Sequence, residues 1–268
     1  MFTGYTQMQG DGKVLAIIQN GQQVDSATEG AEVSVVLDTT PFYGEGGGQV
    51  GDTGVLEAEG VSVDVVDTTK HEGVYLHRAV VSEGTLNVGD TLTAKVDEHR
   101  RTAIMRNHTA AHLLQAALRK VLGSHVEQAG QLVNERHVRF DFTHFSALTP
   151  EELLQVENLV NQEILKAVPV SVQEMGIEEA RLSGAMALFG EKYGDVVRVV
   201  SVEDGFSKEL CGGTHMDNDR PPWALALNDS LRRAPWPLAC GASRASPPWA
   251  CWICSVCRWP PCGIPPGP

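Results

Sequence analysis

The chain has 268 residues, of which 42% are hydrophobic, and a formal net charge of −13. That length allows one large domain or two ordinary ones with a real apolar core, and no run approaches the roughly 20 apolar residues needed to span a bilayer. No basic patch followed by an apolar run marks a signal peptide, so the expectation is a cytoplasmic protein without a membrane role.

Residues 1–96 read as β. Short β-branched runs at 13–19, 31–37, 61–66, 75–81 and 91–96 are punctuated by Gly, Asp and Asn at short intervals, a spacing that predicts a small barrel or sandwich. Within this region Gly44-Glu45-Gly46-Gly47-Gly48-Gln49-Val50-Gly51 contains G-x-G-x-x-G. A dinucleotide site needs a helix after that motif, and here another turn, Asp52-Thr53-Gly54, and a strand follow, so a Rossmann site is rejected. Two readings stay open for the segment. One is a plain glycine-rich turn, and the other is a loop whose backbone N–H groups approach a substrate.

The pattern changes at Asp97. Residues 98–122 lack Pro and Gly, and Ala110, Leu114, Ala117, Leu118 and Val121 form an apolar stripe at helical spacing, with Gly123 placed as a terminator. Strands are expected at 126–133 and 138–142. Thr149-Pro150-Glu151-Glu152 is a helix start with Thr as N-cap, Pro at the first helical position and Glu at the third. That helix is expected to reach about Lys166 with Leu153, Val156, Val160 and Ile164 inward. Further strands are expected at 168–174 and 196–202, with a short helix at 177–182. The expected fold is therefore α+β, with a small N-terminal β-barrel at 1–96 followed by an α+β domain at 97–218.

The rest of the chain is a different polymer. All five Trp, five of the six Cys and eleven of the fourteen Pro lie at Pro221 or later. Residues 219–268 carry two acids and five Arg, which leaves 32 acids against 16 bases in the first 218 residues. An excess of that size disfavours strong autonomous binding to nucleic acid, which draws on Lys and Arg contacts to phosphates. A local patch, Arg100, Arg101 and Arg106, is the candidate RNA contact, and a solvated helix start is its bland alternative. In the tail, Cys251, Cys254 and Cys257 have a metal-like spacing. Four residues precede Cys262 and Gly263 follows it, unlike the bacterial iron–sulfur run. With no apolar period and abundant Pro, residues 219–268 are expected to be an out-of-frame tail without fixed structure.

The residues able to carry chemistry form two pairs. His108 and His112 lie four apart on the expected helix, so both imidazoles point the same way. Cys211 and His215 frame Cys-Gly-Gly-Thr-His, whose glycines let the backbone turn tightly. Three imidazoles and one thiolate suit tetrahedral Zn2+. A purely structural reading, with two histidines on an apolar helix and a lone Cys, stands beside the metal reading. A zincin protease is excluded, because Thr109 occupies the position of the general base.

Together these blocks resemble the editing half of alanyl-tRNA synthetase and its freestanding editing relatives. The resemblance rests on Thr40-Pro41-Phe42-Tyr43-Gly44-Glu45-Gly46-Gly47-Gly48-Gln49, Arg106-Asn107-His108-Thr109-Ala110-Ala111-His112-Leu113-Leu114, Val126-Glu127-Gln128-Ala129-Gly130, Arg139-Phe140-Asp141-Phe142, residues 188–194 and Glu209-Leu210-Cys211-Gly212-Gly213-Thr214-His215, in the family's order. It implies a zinc site at His108, His112, Cys211 and His215, and hydrolysis of tRNA(Ala) mischarged with serine or glycine. It also makes Gln128 and Gly47, Gly48 and Gln49 candidates for holding the aminoacyl end. A similar zinc module occurs in threonyl-tRNA synthetases, and the Cys-Gly-Gly-Thr-His block with its glycine-rich barrel favours alanine. No ligase activity is expected of this chain alone, since the class II aminoacylation motifs of the family's synthetases are absent. The alternative is a fragment of alanine–tRNA ligase that serves only as a zinc-containing tRNA-binding module. Oligomeric state is not encoded in any of these motifs.

Overall fold

The structure is a computed structural model that describes residues 1–166, 168–187, 194–202 and 205–216, and the backbone of Ala250–Val256. The resemblance block at 188–193 and the tail at 217–249 and 257–268 lie outside the described residues. Contacts divide the chain into two compact units, Met1–His108 with Cys211–Met216, and Thr109–Leu210 with the chain from Asp217 onward.

The first unit is built on a closed barrel of six antiparallel strands: β1 (Gln9–Gln19), β4 (Glu32–Leu37), β5 (Gly54–Ala58), β6 (Val61–His71), β7 (Val74–Glu83) and β9 (Thr91–Val96). Their order is β1-β4-β7-β6-β5-β9, and β9 returns to β1. Closure depends on the length of β1. Its first half, Gln9 to Lys13, pairs with β9, and its second half, from Val14, pairs with β4 across a register shift. A closed barrel leaves no edge strand to mispair. Three short strands complete the unit: β2 (Gln22–Val24) folds back on β1, and β3 (Ser26–Thr28) pairs with β8 (Thr85–Asn87). Alternation fills the interior. Val33, Val35 and Leu37 of β4 point inward with Val63 and Val65 of β6, and with Leu92, Ala94 and Val96 of β9.

Helix α1 (Glu98–Leu122) follows β9 directly, and the line between the units falls within it, after His108. Asp97 starts it, its carboxylate accepting the backbone N–H of Arg100 at 2.9 Å. Gly123, at φ 117°, ends it. Ala110, Leu114, Ala117 and Leu118 of the expected apolar stripe lie in a wider buried stretch, since every residue from Asn107 to Leu118 is buried, while Val121 is half-buried. A helix buried on all faces cannot be read from one stripe alone.

Among its described residues the second unit contains the remainder of α1, two three-stranded antiparallel sheets and two further helices. β10 (Gln128–Val133) pairs with β11 (His137–Thr143). β12 (Val170–Gly176), β13 (Val196–Val202) and β14 (Lys208–Leu210) form the other sheet, with α3 (Ile177–Leu182) following β12. Helix α2 (Pro150–Lys166) begins as the sequence predicts. Thr149 Oγ1 accepts the N–H of Glu152 at 3.2 Å, and the Glu152 carboxylate accepts the N–H of Thr149 at 2.8 Å. These reciprocal bonds hold the Glu152 carboxyl below its usual range. Val156, Val160 and Ile164 are buried as expected, joined by Glu163, whose carboxylate takes both its bonds from Lys166.

One expectation is corrected by the sheets. Within the tail read as lacking regular structure, Ala250–Val256 forms β15, antiparallel to β11 from Ala250 opposite Thr143 to Val256 opposite His137. The reason is local. This is a seven-residue stretch free of Pro, with Trp252, Ile253 and Val256, and β11 offers it an edge not used by β10. No helix among the described residues is long and apolar enough to cross a membrane.

Candidate metal centre

Helix α1 presents His108 and His112 one turn apart, and Cys211 follows immediately after β14. The side chains of His108, His112, Cys211 and His215 converge, each offering one ligand atom, and these atoms all lie within 4.8 Å of one another. Cys211 Sγ is 3.2 Å from His215 Nε2 and 3.6 Å from His108 Nε2. The His108 and His215 rings are 4.4 Å apart. These are the four residues that the sequence pairs single out, brought together as expected.

The backbone permits this convergence at one point in particular. A Cβ on Gly213 would stand 2.1 Å from His108 Cε1 and 2.4 Å from its Nδ1. Only glycine fits there. The Gly213 N–H in turn donates to Cys211 Sγ at 3.4 Å. In the second unit, Glu209 Oε2 stands 3.8 Å from His112 Nε2, and Ser207 Oγ donates to the other Glu209 oxygen at 3.0 Å. Sequence reading missed Glu209. Its signal is position, a buried acid in the short strand β14 (Lys208–Leu210), two residues before Cys211.

The glycine-rich segment is a closed turn. Gly46 and Gln49 exchange both backbone hydrogen bonds, at 3.0 and 3.1 Å, and Gly47 and Gly48 between them have φ of 57° and 79°. Two consecutive positive φ angles demand glycine there. Gly47 is exposed, Gly48 half-buried and Gln49 fully buried. The Gln49 amide bonds to Thr214 and His108, so Gln49 belongs to the interior of the cluster. Tyr43 hydroxyl caps the turn by donating to Gly46 O at 3.0 Å. Burial, reinforced by the charge of Cys211, holds that phenol protonated. Gln128, the remaining sequence candidate, is the first residue of β10 in the second unit, half-buried and paired with Phe142.

The arginine patch needs correction. Arg101 is not a surface cation. It is 1% exposed and clasps the Asp52 carboxylate, while its remaining N–H groups donate to Gly4 O and Pro41 O at 2.8 and 2.9 Å. Arg100 donates to Gly51 O at 2.8 Å, and Arg106 to Thr102 O at 3.3 Å. Arg101 directly follows the half-buried Arg100, and adjacent residues on a helix face different ways, which composition cannot show.

The donor set can be tested against a metal. Tetrahedral zinc bonded to imidazole and thiolate at 2.0–2.3 Å has ligand-to-ligand edges of about 3.3–3.8 Å. The Cys211 separations lie at or close to that range. The chemistry fits as well: three nitrogens and one sulfur, mostly buried, with an N–H aimed at the sulfur.

Comparison with known proteins gives the chain's relatives. Residues 1–100 match the family model described as tRNA synthetases class II (A). The chain is 57% identical over 217 residues to an alanine–tRNA ligase of Acetivibrio thermocellus, which covers 81% of this chain and 24% of that enzyme. It is 53% identical over 214 residues to one of Pseudomonas fluorescens, covering 80% of the chain and 24% of the enzyme. It is 50% identical over 218 residues to one of Bacillus subtilis, covering 81% and 25%. The chain therefore spans about a quarter of the length of these relatives.

Proposed function

Because the chain belongs to the alanine–tRNA ligase family over the stretch it shares with those enzymes, we propose that it hydrolyses the ester of tRNA(Ala) mischarged with serine or glycine, in the cytoplasm and with Zn2+ as its metal. The supporting observation is the convergence of His108, His112, Cys211 and His215 on one point. The chemical need is general. A pocket shaped for alanine cannot exclude the smaller glycine, and it rejects serine weakly because serine adds only one hydroxyl. A second hydrolytic site answers that need.

Zinc, when bound, supplies a Lewis acid toward the ester or lowers the pKa of a bound water. The chain's own contribution is positional. Helix α1 fixes two imidazoles one turn apart, Gly213 allows the Cys211–His215 segment to close against His108, and the Gly46–Gln49 turn holds Gln49 beside them. In this proposal Gly47, Gly48, Gln49 and Gln128 remain the candidates for holding the aminoacyl end.

Single-turnover hydrolysis of Ser-tRNA(Ala) and Gly-tRNA(Ala) by zinc-loaded protein tests the reading. Ester cleavage that disappears in Cys211→Ala supports it. Binding of tRNA(Ala) without cleavage leaves the other reading, a zinc-containing tRNA-binding module. Neither binding nor cleavage removes both.

A further inference from the structure

Gln49 is a fully buried side chain in the first unit, beside the cluster. Its two amide atoms can be told apart. Gln49 Oε1 lies 2.9 Å from the backbone N of Thr214, which can only donate, so the atom there is the oxygen. The amide nitrogen then donates to Thr214 Oγ1 at 2.9 Å. The same Oε1 is 2.7 Å from His108 Nδ1. An oxygen cannot donate, so Nδ1 must carry the hydrogen. A neutral imidazole with its hydrogen on Nδ1 has its lone pair on Nε2, and His108 Nε2 is the atom that faces Cys211 Sγ at 3.6 Å.

We propose that Gln49 is a positioning residue that fixes the Nδ1–H tautomer of His108, so that Nε2 is the ligand atom offered to the metal. This rests on the metal reading of the cluster above but not on hydrolysis. The glycine-rich turn acquires a purpose in the same step. Gly47 and Gly48 reverse the chain so that Gln49 points inward, and Thr214, next to His215, locks both ends of its amide. The barrel's turn and the two metal-binding segments are thus joined through one carboxamide, in a role that outer partners of metal-bound imidazoles commonly fill.

The test uses the whole chain with zinc alone and no tRNA. Zinc affinity is measured by chelator competition for wild type, Gln49→Leu and Gln49→Glu, with circular dichroism to confirm folding. Independently, the histidine ring nitrogens of ¹⁵N-labelled wild type are observed by NMR with zinc bound. The expected results are a drop of roughly 10–100-fold in affinity for Gln49→Leu, recovery toward wild type in Gln49→Glu, which keeps the acceptor, and a His108 ring protonated at Nδ1 and metal-bound at Nε2. Metal on Nδ1, unchanged affinity in Gln49→Leu, or Gln49→Glu as weak as Gln49→Leu overturns the proposal while leaving the metal site standing. Wild-type protein that binds no zinc overturns both. If Gln49→Leu does not fold, the NMR result on wild type still decides.

Discussion

Arg101 and Asp52 form a clasped ion pair in which both side chains are 1% exposed. The carboxylate also accepts the Tyr43 N–H at 2.7 Å, and the guanidinium bonds three separate segments of the first unit. Nothing in the pair reaches solvent, so its removal is a question of an orphaned charge. Asp52→Asn is expected to destabilise the protein by about 3–5 kcal/mol, the usual cost of leaving one member of a buried pair alone. Replacing both residues by apolar ones of similar size should recover much of the loss. Urea unfolding of the single and double variants checks this, and a single variant within about 1 kcal/mol of wild type contradicts it.

A second prediction concerns acid. His77 sits inside the barrel at 0% exposure, its Nδ1 donating to Val35 O at 2.8 Å and its Nε2 meeting Thr40 Oγ1 at 2.8 Å. Burial pushes its pKa down from 6.5 to about 4, against the Val35 bond that raises it. Above pH 6.5 neither the folded nor the unfolded chain holds this proton. As pH falls from 6.5 toward about 4 only the unfolded chain takes it up, so stability drops, by on the order of 3 kcal/mol, and then levels off. His77→Gln should lack that portion of the slope. Unfolding midpoints of both proteins across the window decide, and parallel curves would refute the assignment.

The metal prediction is stoichiometric. Purified protein is expected to carry close to one zinc per chain, and Cys211→Ala should lose more affinity than the roughly 10–100-fold typical of an outer partner. Elemental analysis with chelator competition measures it. Full occupancy in Cys211→Ala would remove Cys211 from the donor set.

The cap of α2 gives a smaller effect. Thr149→Ala breaks the reciprocal bonds with Glu152 and should cost about 1 kcal/mol. Thermal unfolding reads the loss, and an unchanged midpoint would show that the helix start is held by packing alone.

The fifth prediction separates the tail from the metal. All four candidate ligands precede residue 219, so a chain ending at Asn218 should bind zinc as well as the full chain. It should also show faster hydrogen exchange in β11, which loses its β15 partner along its whole length. Reduced zinc in the shorter chain would contradict the first expectation, and unchanged exchange the second.

Much of this architecture could be read from the residues because local signals agreed with one another. β13, α1 and α3 fall where periodicity puts them, and Thr149-Pro150-Glu151-Glu152 announces α2 by its cap chemistry alone. The three-residue strands β2, β3, β8 and β14 escaped, since three residues carry too little alternation to stand above a turn. β15 escaped for another reason, because the Pro and Trp around it masked a seven-residue stretch that needed only an edge to pair with. His77 was discoverable, since with Ala79 and Val81 it falls on the inward face of β7. The fate of Arg101 and the aim of Gln49 depend on partners about 50 and 59 positions away in the chain, and no local window contains them.

The separation of the two metal-binding segments has a consequence for how the protein is made. His108 and Cys211 are 103 positions apart, and Cys211–Met216 returns to the first unit only after the whole of Thr109–Leu210 has been laid down. A growing chain therefore completes its barrel long before it can capture metal, and until then Cys211 has not yet been added. If the cluster takes up a metal, capture is a late step that waits for chains translated through His215. A metal held there would tie together residues on both sides of the intervening stretch, so a protease cut within it is expected to leave two pieces joined until a chelator is added.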